Sequence, residues 1–222
     1  MPARAWGFES PFAHQLATTT ILLVRHADVY NPKRLFYGRL PRFRISELGQ
    51  RQAEFLAERL AGVPIAAFYT SPMLRARQTA KILAARHPNA PMHEDRRLIE
   101  VRTGWMGSVE TLIPPVINLY EPPHTADDET IEGVWIRVHA LIRQLVRRHA
   151  GQTVVCVSHG DPVVIAHAGY TGLPLALPSI RGGFYPQKCS VTELVFSGGE
   201  DQPRVTYQDV IGELAPELRA PN

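Results

Sequence analysis

Short continuous apolar runs alternate along this chain with longer segments whose apolar positions recur every three or four residues. The run Ile21-Leu22-Leu23-Val24 ends in polar Arg25-His26, the pattern of a buried parallel strand that delivers its polar end to a sheet edge. After a loop punctuated by proline and glycine, Ser46 can cap a helix from Glu47 to about Leu60, with Leu48, Phe55, Leu56 and Leu60 on its apolar face. Gly62-Val63-Pro64 stops it. Ile65–Tyr69 reads as a second strand, and Ser71-Pro72 as the N-cap and first residue of the next helix. The clearest helical period belongs to Ile131, Val134, Trp135, Val138, Leu141, Ile142, Leu145 and Val146, ended by Gly151. Thr153–Val157 is another apolar strand. Ser158-His159-Gly160 stands at its end, and Asp161-Pro162 opens a further helix as cap and first residue. Two late strands, Val191–Phe196 and Arg204–Asp209, flank Ser197-Gly198-Gly199.

This alternation predicts an α/β protein: a three-layer α/β/α sandwich with a mostly parallel central sheet and helices on both faces. No repeat or linker divides it. One domain is expected over residues 19–215, preceded by an extension over residues 1–18 whose order the sequence leaves open. Residues 101–130 contain Gly104, Pro114-Pro115 and Pro122-Pro123, and read as an irregular lid with one short helix near Leu112–Leu119. Trp105, Met106, Ile113, Val116, Ile117 and Tyr120 give that lid an apolar character.

Composition narrows the partners. With 222 residues, 45% of them apolar and 20% charged, the chain can bury one sizeable core. A net charge of +3 is too small to predict a nucleic-acid partner. The exception is local: Lys33, Arg34, Arg39, Arg42 and Arg44 cluster without an acid among them, as either a solvated loop or a basic rim around a site. Cys156 and Cys189 make neither a disulfide framework nor a metal-binding spacing, and Cys156 sits inside an apolar run. The opening MPARAWGFESPFAHQLATTT lacks the apolar centre of a signal peptide. No stretch approaches membrane-spanning length. A cytoplasmic location without a membrane partner is the expectation, and a homodimer is compatible with it.

Chemistry enters at the strand ends. Two strands end in histidine, and ligands of open α/β sheets bind beyond those carboxyl ends, where helix N-termini also point. Arg75 falls in the first helical turn after Ser71, where the helix dipole disfavours a cation unless an anion neutralises it. Spacing alone leaves packing and capping open as roles for both histidines.

The segments LLVRHAD, YGRLPRFRISELGQRQA, TSPMLRARQTA, LIEVRTGWMG and VVCVSHGDPV, in this order, resemble the histidine phosphatase superfamily, which includes the cofactor-dependent phosphoglycerate mutases. The likeness extends from about Thr20 to Val210. It implies that His26 is a nucleophile that carries the phosphoryl group, and that Arg25, Arg75 and His159 surround the phosphate. It implies that Glu100 protonates the leaving oxygen and later activates water. Leu98, Val101, Gly104 and Trp105 around Glu100 suit that pattern. Asn31, Gly160 and Arg39 join as phosphate- or substrate-binding candidates. No metal and no cofactor are implied, because two arginines and a charged histidine can balance a phosphate dianion. Three positions depart from the pattern. Ala27 replaces the usual glycine, Asn31 lies one residue nearer His26 than its counterpart, and Ser46 stands for threonine. His139, His149 and His167 fall on helices and are expected to be surface or packing residues, and Arg137, on the long helix, to be structural.

Three activities fit. The favoured one is a metal-independent phosphomonoester hydrolase acting through phosphohistidine on a small phosphorylated metabolite, with room for a second anionic group at the basic loop. A phosphoglycerate-mutase-type phosphotransferase is the alternative, set back because ADVYNPKRLFYGRLPRFRIS lacks the longer mutase pattern. The third is a catalytically weak phosphate- or phosphoprotein-binding member.

Overall fold

The parallel pairing of β1 (Thr19–Arg25) with β4 (Thr153–Ser158) sets the centre of the sheet. In the computed structural model, which describes residues 18–109, 118–197 and 201–219, six strands run in the order β3 (Met92–Glu94), β2 (Ile65–Thr70), β4, β1, β5 (Val191–Phe196) and β6 (Arg204–Gln208). β2 joins β4 in parallel, and β3 adds a short edge. β5 lies antiparallel to β1, and β6 antiparallel to β5. The pleat of β1 sends alternate residues to opposite faces. Ile21 and Leu23 join a core with α3 (Ile131–Arg148) and α4 (Gly160–Tyr170). Leu22 and Val24 join a second core with α1 (Glu47–Leu60) and α2 (Leu74–Ala84). The sheet is thus covered on both sides, as the alternation of runs predicted.

Ser46 caps α1, its Oγ accepting from Gly49 N–H at 2.9 Å. The buried face is rotated from the expected one. Gly49, Gln52, Ala53, Leu56, Ala57 and Leu60 face inward, while Leu48 and Phe55 are half-buried. Small residues win because α1 packs closely on α2 and on the loop after β1. A Cβ at Gly49 would fall 2.2 Å from the Asp28 carbonyl oxygen. That loop is further tied down by Ser46 Oγ–H on Asp28 Oδ2 at 2.6 Å and by Asp28 N–H on Gln52 Oε1 at 2.9 Å.

Two helix starts differ from expectation. α2 begins at Leu74 behind Met73, so Ser71 and Pro72 lie ahead of it. α4 begins at Gly160 behind His159, which places Asp161 and Pro162 inside its first turn. Asp161 is drawn to tertiary partners instead of capping, whereas Ser71 Oγ accepts from Met73 N–H at 3.3 Å as well as meeting a tertiary partner. Two helices of five residues, α5 (Leu177–Arg181) and α6 (Val210–Leu214), lack a sequence period long enough to read. The short lid helix falls mostly on residues 110–117, outside the described residues. No described helix is long and apolar enough to cross a membrane.

Candidate active site

Parallel register brings the two histidines together. Arg25 pairs with Ser158 across β1 and β4, so the residues that follow, His26 and His159, leave the same sheet edge side by side. Their ring centroids are 5.1 Å apart. His26 N–H donates to the Ser158 carbonyl at 2.9 Å. Its Nδ1 lies 2.7 Å from the Ala27 carbonyl oxygen. A carbonyl only accepts, so Nδ1 carries the hydrogen and Nε2 keeps the lone pair. Arg75 Nε donates to that Nε2 at 3.1 Å. Ala27 therefore performs the task that matters at its position. Its φ is not among the positive values, so the backbone there does not demand glycine.

The cations around His26 are held by neutral groups. Arg75 is fully buried, donates from Nη2 to the Gly38 carbonyl at 2.7 Å, and stacks 4.7 Å above the Tyr37 ring. Arg25 donates from Nη1 to the Pro186 carbonyl at 2.6 Å and lies 5.0 Å over the Tyr185 ring. His159 Nε2 meets Ser71 Oγ at 2.7 Å, the same oxygen that accepts from Met73 N–H at 3.3 Å. Arg75 Nη1, Arg25 Nε and His159 Nδ1 are buried without a hydrogen-bond partner among the described residues. Leaving such polar groups unsatisfied is costly, and the two guanidinium donors among them mark a place where an anion is expected.

Burial, reinforced by Lys188, Arg75, His159 and Arg25, holds the His26 imidazole well below its ordinary range. Burial and then Arg75, Arg137, Arg25 and Lys188 do the same to His159. Both rings are neutral at neutral pH. For His26 this is the nucleophilic state. For His159 the same surroundings disfavour a positive charge that a phosphate dianion would favour. Glu100 is half-buried. Its Oε1 accepts from Val101 N–H at 2.9 Å. Burial and the nearby Asp161 carboxylate raise its pKa against the opposing pull of Arg75 and Arg25. A carboxyl shifted upward beside cations is suited to donate a proton.

Comparison with known proteins agrees with this geometry. The model of the histidine phosphatase superfamily, branch 1, matches residues 21–208. The chain belongs to that superfamily. Rv0525 of Mycobacterium tuberculosis is 34% identical over 81% of this chain and 91% of its own length. Phosphoserine phosphatase 1 of Hydrogenobacter thermophilus is 31% identical, over 70% of this chain and 78% of its own. Among solved structures, Bacillus stearothermophilus YhfR superimposes with a TM-score of 0.75 at 29% identity, covering 86% of this chain and 96% of that one.

Two expected site residues of this histidine phosphatase are engaged by other protein groups. Asn31 is turned onto its own loop, where Nδ2 donates to the Leu35 carbonyl at 2.8 Å and Oδ1 accepts from Leu35 N–H at 3.1 Å. Arg39 is not a free rim cation. It pairs with Glu129 at 2.6 Å and donates from Nε to the Glu100 carbonyl at 2.6 Å, so it braces the backbone that presents Glu100. Arg137 joins the same brace through Glu129 and the Arg97 carbonyl, the structural role expected of it. Gly160 is needed for packing, because a Cβ there would fall 2.1 Å from Tyr185 Oη.

Sequence reasoning missed Tyr37, Lys188 and the Asp161 cluster. Tyr37 stands in the loop after β1, with its ring 6.4 Å from that of His26. Asp161 is buried and accepts from Tyr120 Oη at 2.5 Å, Tyr185 Oη at 2.7 Å and Arg181 Nη2 at 2.8 and 2.9 Å. This ties the lid to α4 and to the segment after α5. An aspartate before a proline reads locally as a cap, so no signal along the chain marked it.

Proposed function

We propose that the protein hydrolyses small phosphomonoesters through a phosphohistidine at His26, without a metal. The observation that carries this reading is the single tautomer of His26, its Nε2 lone pair set among buried cations that form no ion pair with a carboxylate among the described residues. In the first step Nε2 attacks phosphorus and the bond to the leaving oxygen breaks. The electron pair departs with that oxygen, and the Glu100 carboxyl supplies its proton. In the second step water attacks the phosphohistidine, Glu100 takes the water's proton, and His26 leaves as neutral imidazole with inorganic phosphate released. Arg25, Arg75 and His159 balance charge on the nonbridging oxygens as it spreads in flight. Gly160 opens α4 with backbone directed at the same site.

The reading treats residues 19–215 as one catalytic domain with a lid over about residues 101–130, working in the cytoplasm on small phosphorylated metabolites. The likeness to a phosphoserine phosphatase supports a substrate of that size. The test is a rapid quench, kept away from acid, with a labelled phosphomonoester. Label should be trapped on His26, and His26→Ala should be folded and inactive. Label on another residue, or full activity in His26→Ala, would overturn the mechanism.

A further inference from the structure

Lys188 is the charged group at this site that the steps above leave unused. Strand pairing places it there. Cys189 N–H donates to the Arg25 carbonyl at 3.1 Å, and Arg25 N–H donates to the Ser190 carbonyl at 3.3 Å. Lys188, three residues ahead of antiparallel β5, is thereby held against the carboxyl end of β1. Its Nζ donates to Tyr37 Oη at 3.1 Å and lies 5.9 Å from the centroid of that ring. The same ring carries the Arg75 guanidinium, so Tyr37 aligns Arg75 and Lys188 beside His26.

The energetics are those of an uncompensated ammonium. No carboxylate forms an ion pair with Lys188, Arg25 or Arg75 among the described residues. Of the three donors on Nζ, Tyr37 accepts one. Burial and then Arg25 lower the Lys188 pKa, only partly offset by Tyr37 and Asp28. Lys188 joins Arg75, His159 and Arg25 in lowering the His26 pKa beside burial. A cation so placed beside two guanidiniums is tolerated when an anion shares the site.

We propose that Lys188 is a phosphate-contacting residue whose ammonium, aimed by Tyr37, ligates a nonbridging oxygen of the phosphoryl group presented to His26. This rests on the phosphatase reading and adds one cation to the set that the family likeness implied. Tyr37 acts as a positioning residue, since it reaches the phosphate through Lys188 and Arg75.

Lys33, Lys81 and Lys188 are the lysines of the chain, so the intact enzyme can be followed by NMR of 13C-labelled lysine side chains. Titration with inorganic phosphate should move the Lys188 signal, assigned by its loss in Lys188→Arg, and leave Lys33 and Lys81 in place. Calorimetry should show Lys188→Met binding phosphate about 10- to 100-fold more weakly, the usual span for a charged hydrogen-bond partner. Lys188→Arg should recover most of that affinity, and Tyr37→Phe should fall between. An unmoved Lys188 signal, or unchanged phosphate affinity in Lys188→Met, would overturn the proposal. If Lys188→Met does not fold, the titration of the unaltered enzyme decides alone. The phosphatase reading is judged separately: if the unaltered enzyme hydrolyses phosphomonoesters while the Lys188 signal stays still, only the Lys188 assignment falls.

Discussion

Replacing Glu100 by glutamine tests the acid–base half of the mechanism with little disturbance to the loop. The amide oxygen of glutamine can still accept from Val101 N–H, as Oε1 does at 2.9 Å. The Glu100 carbonyl stays held by Arg39 Nε at 2.6 Å. What disappears is the proton. Burial and Asp161 raise the carboxyl pKa, and each unit of such a rise increases the protonated fraction at neutral pH about tenfold. General-acid help is worth about 10²–10⁴-fold when the leaving oxygen is a poor one, or about 2.7–5.4 kcal/mol of barrier. Glu100→Gln should lose that much in kcat on an alkyl phosphate. It should lose far less on p-nitrophenyl phosphate, whose oxygen departs readily as an anion. The pH profile gives a second reading. The acid form of Glu100 is the active one in the first step, so kcat/KM should fall as pH rises through its pKa. Asp161→Asn removes a charge that raises this pKa, and the falling limb should move to lower pH. Equal losses on the two substrates, or a limb unmoved in Asp161→Asn, would refute the assignment of Glu100 as proton donor.

Arg39→Ala should lower kcat alike on singly and multiply anionic substrates, with little response to salt, because Arg39 holds the Glu100 carbonyl and Glu129. It should also cost about 1.5–3 kcal/mol of stability, the scale of a charge-assisted hydrogen bond. A KM rise confined to multiply anionic substrates at low salt would restore the basic-rim idea. Stability should itself depend on pH. His26 and His159 have folded pKa values well below ordinary, so the unfolded chain takes up protons first. Stability should therefore decline as pH falls below about 6.5, each full unit of separation between folded and unfolded pKa contributing about 1.4 kcal/mol. Added phosphate should offset the decline, and a melting temperature that stays level from about pH 8 to about pH 5 without phosphate would contradict it.

Order along the chain was enough for the elements and for the residues that end them. β1, α1, β2, α3, β4 and β5 were legible because each buries a continuous run or a repeating face, and burial period is a local property. The same locality brought Arg25, His26, Arg75, Glu100 and His159 forward, since each stands within a segment that resembles the family. Other features belong to pairing and packing. Gly49 against Asp28 turned the buried face of α1, and Ser71 Oγ meets His159 as well as Met73 N–H. Asn31 and Arg39 read as ligands until the structure showed Leu35 and Glu129 already holding them. Lys188 was invisible for a physical reason. A lysine ahead of a strand looks solvated until the antiparallel partner of that strand is known. Only the pairing of Val24 with Val191 turns the start of β5 toward the end of β1, and brings an ammonium distant in sequence to the side of His26.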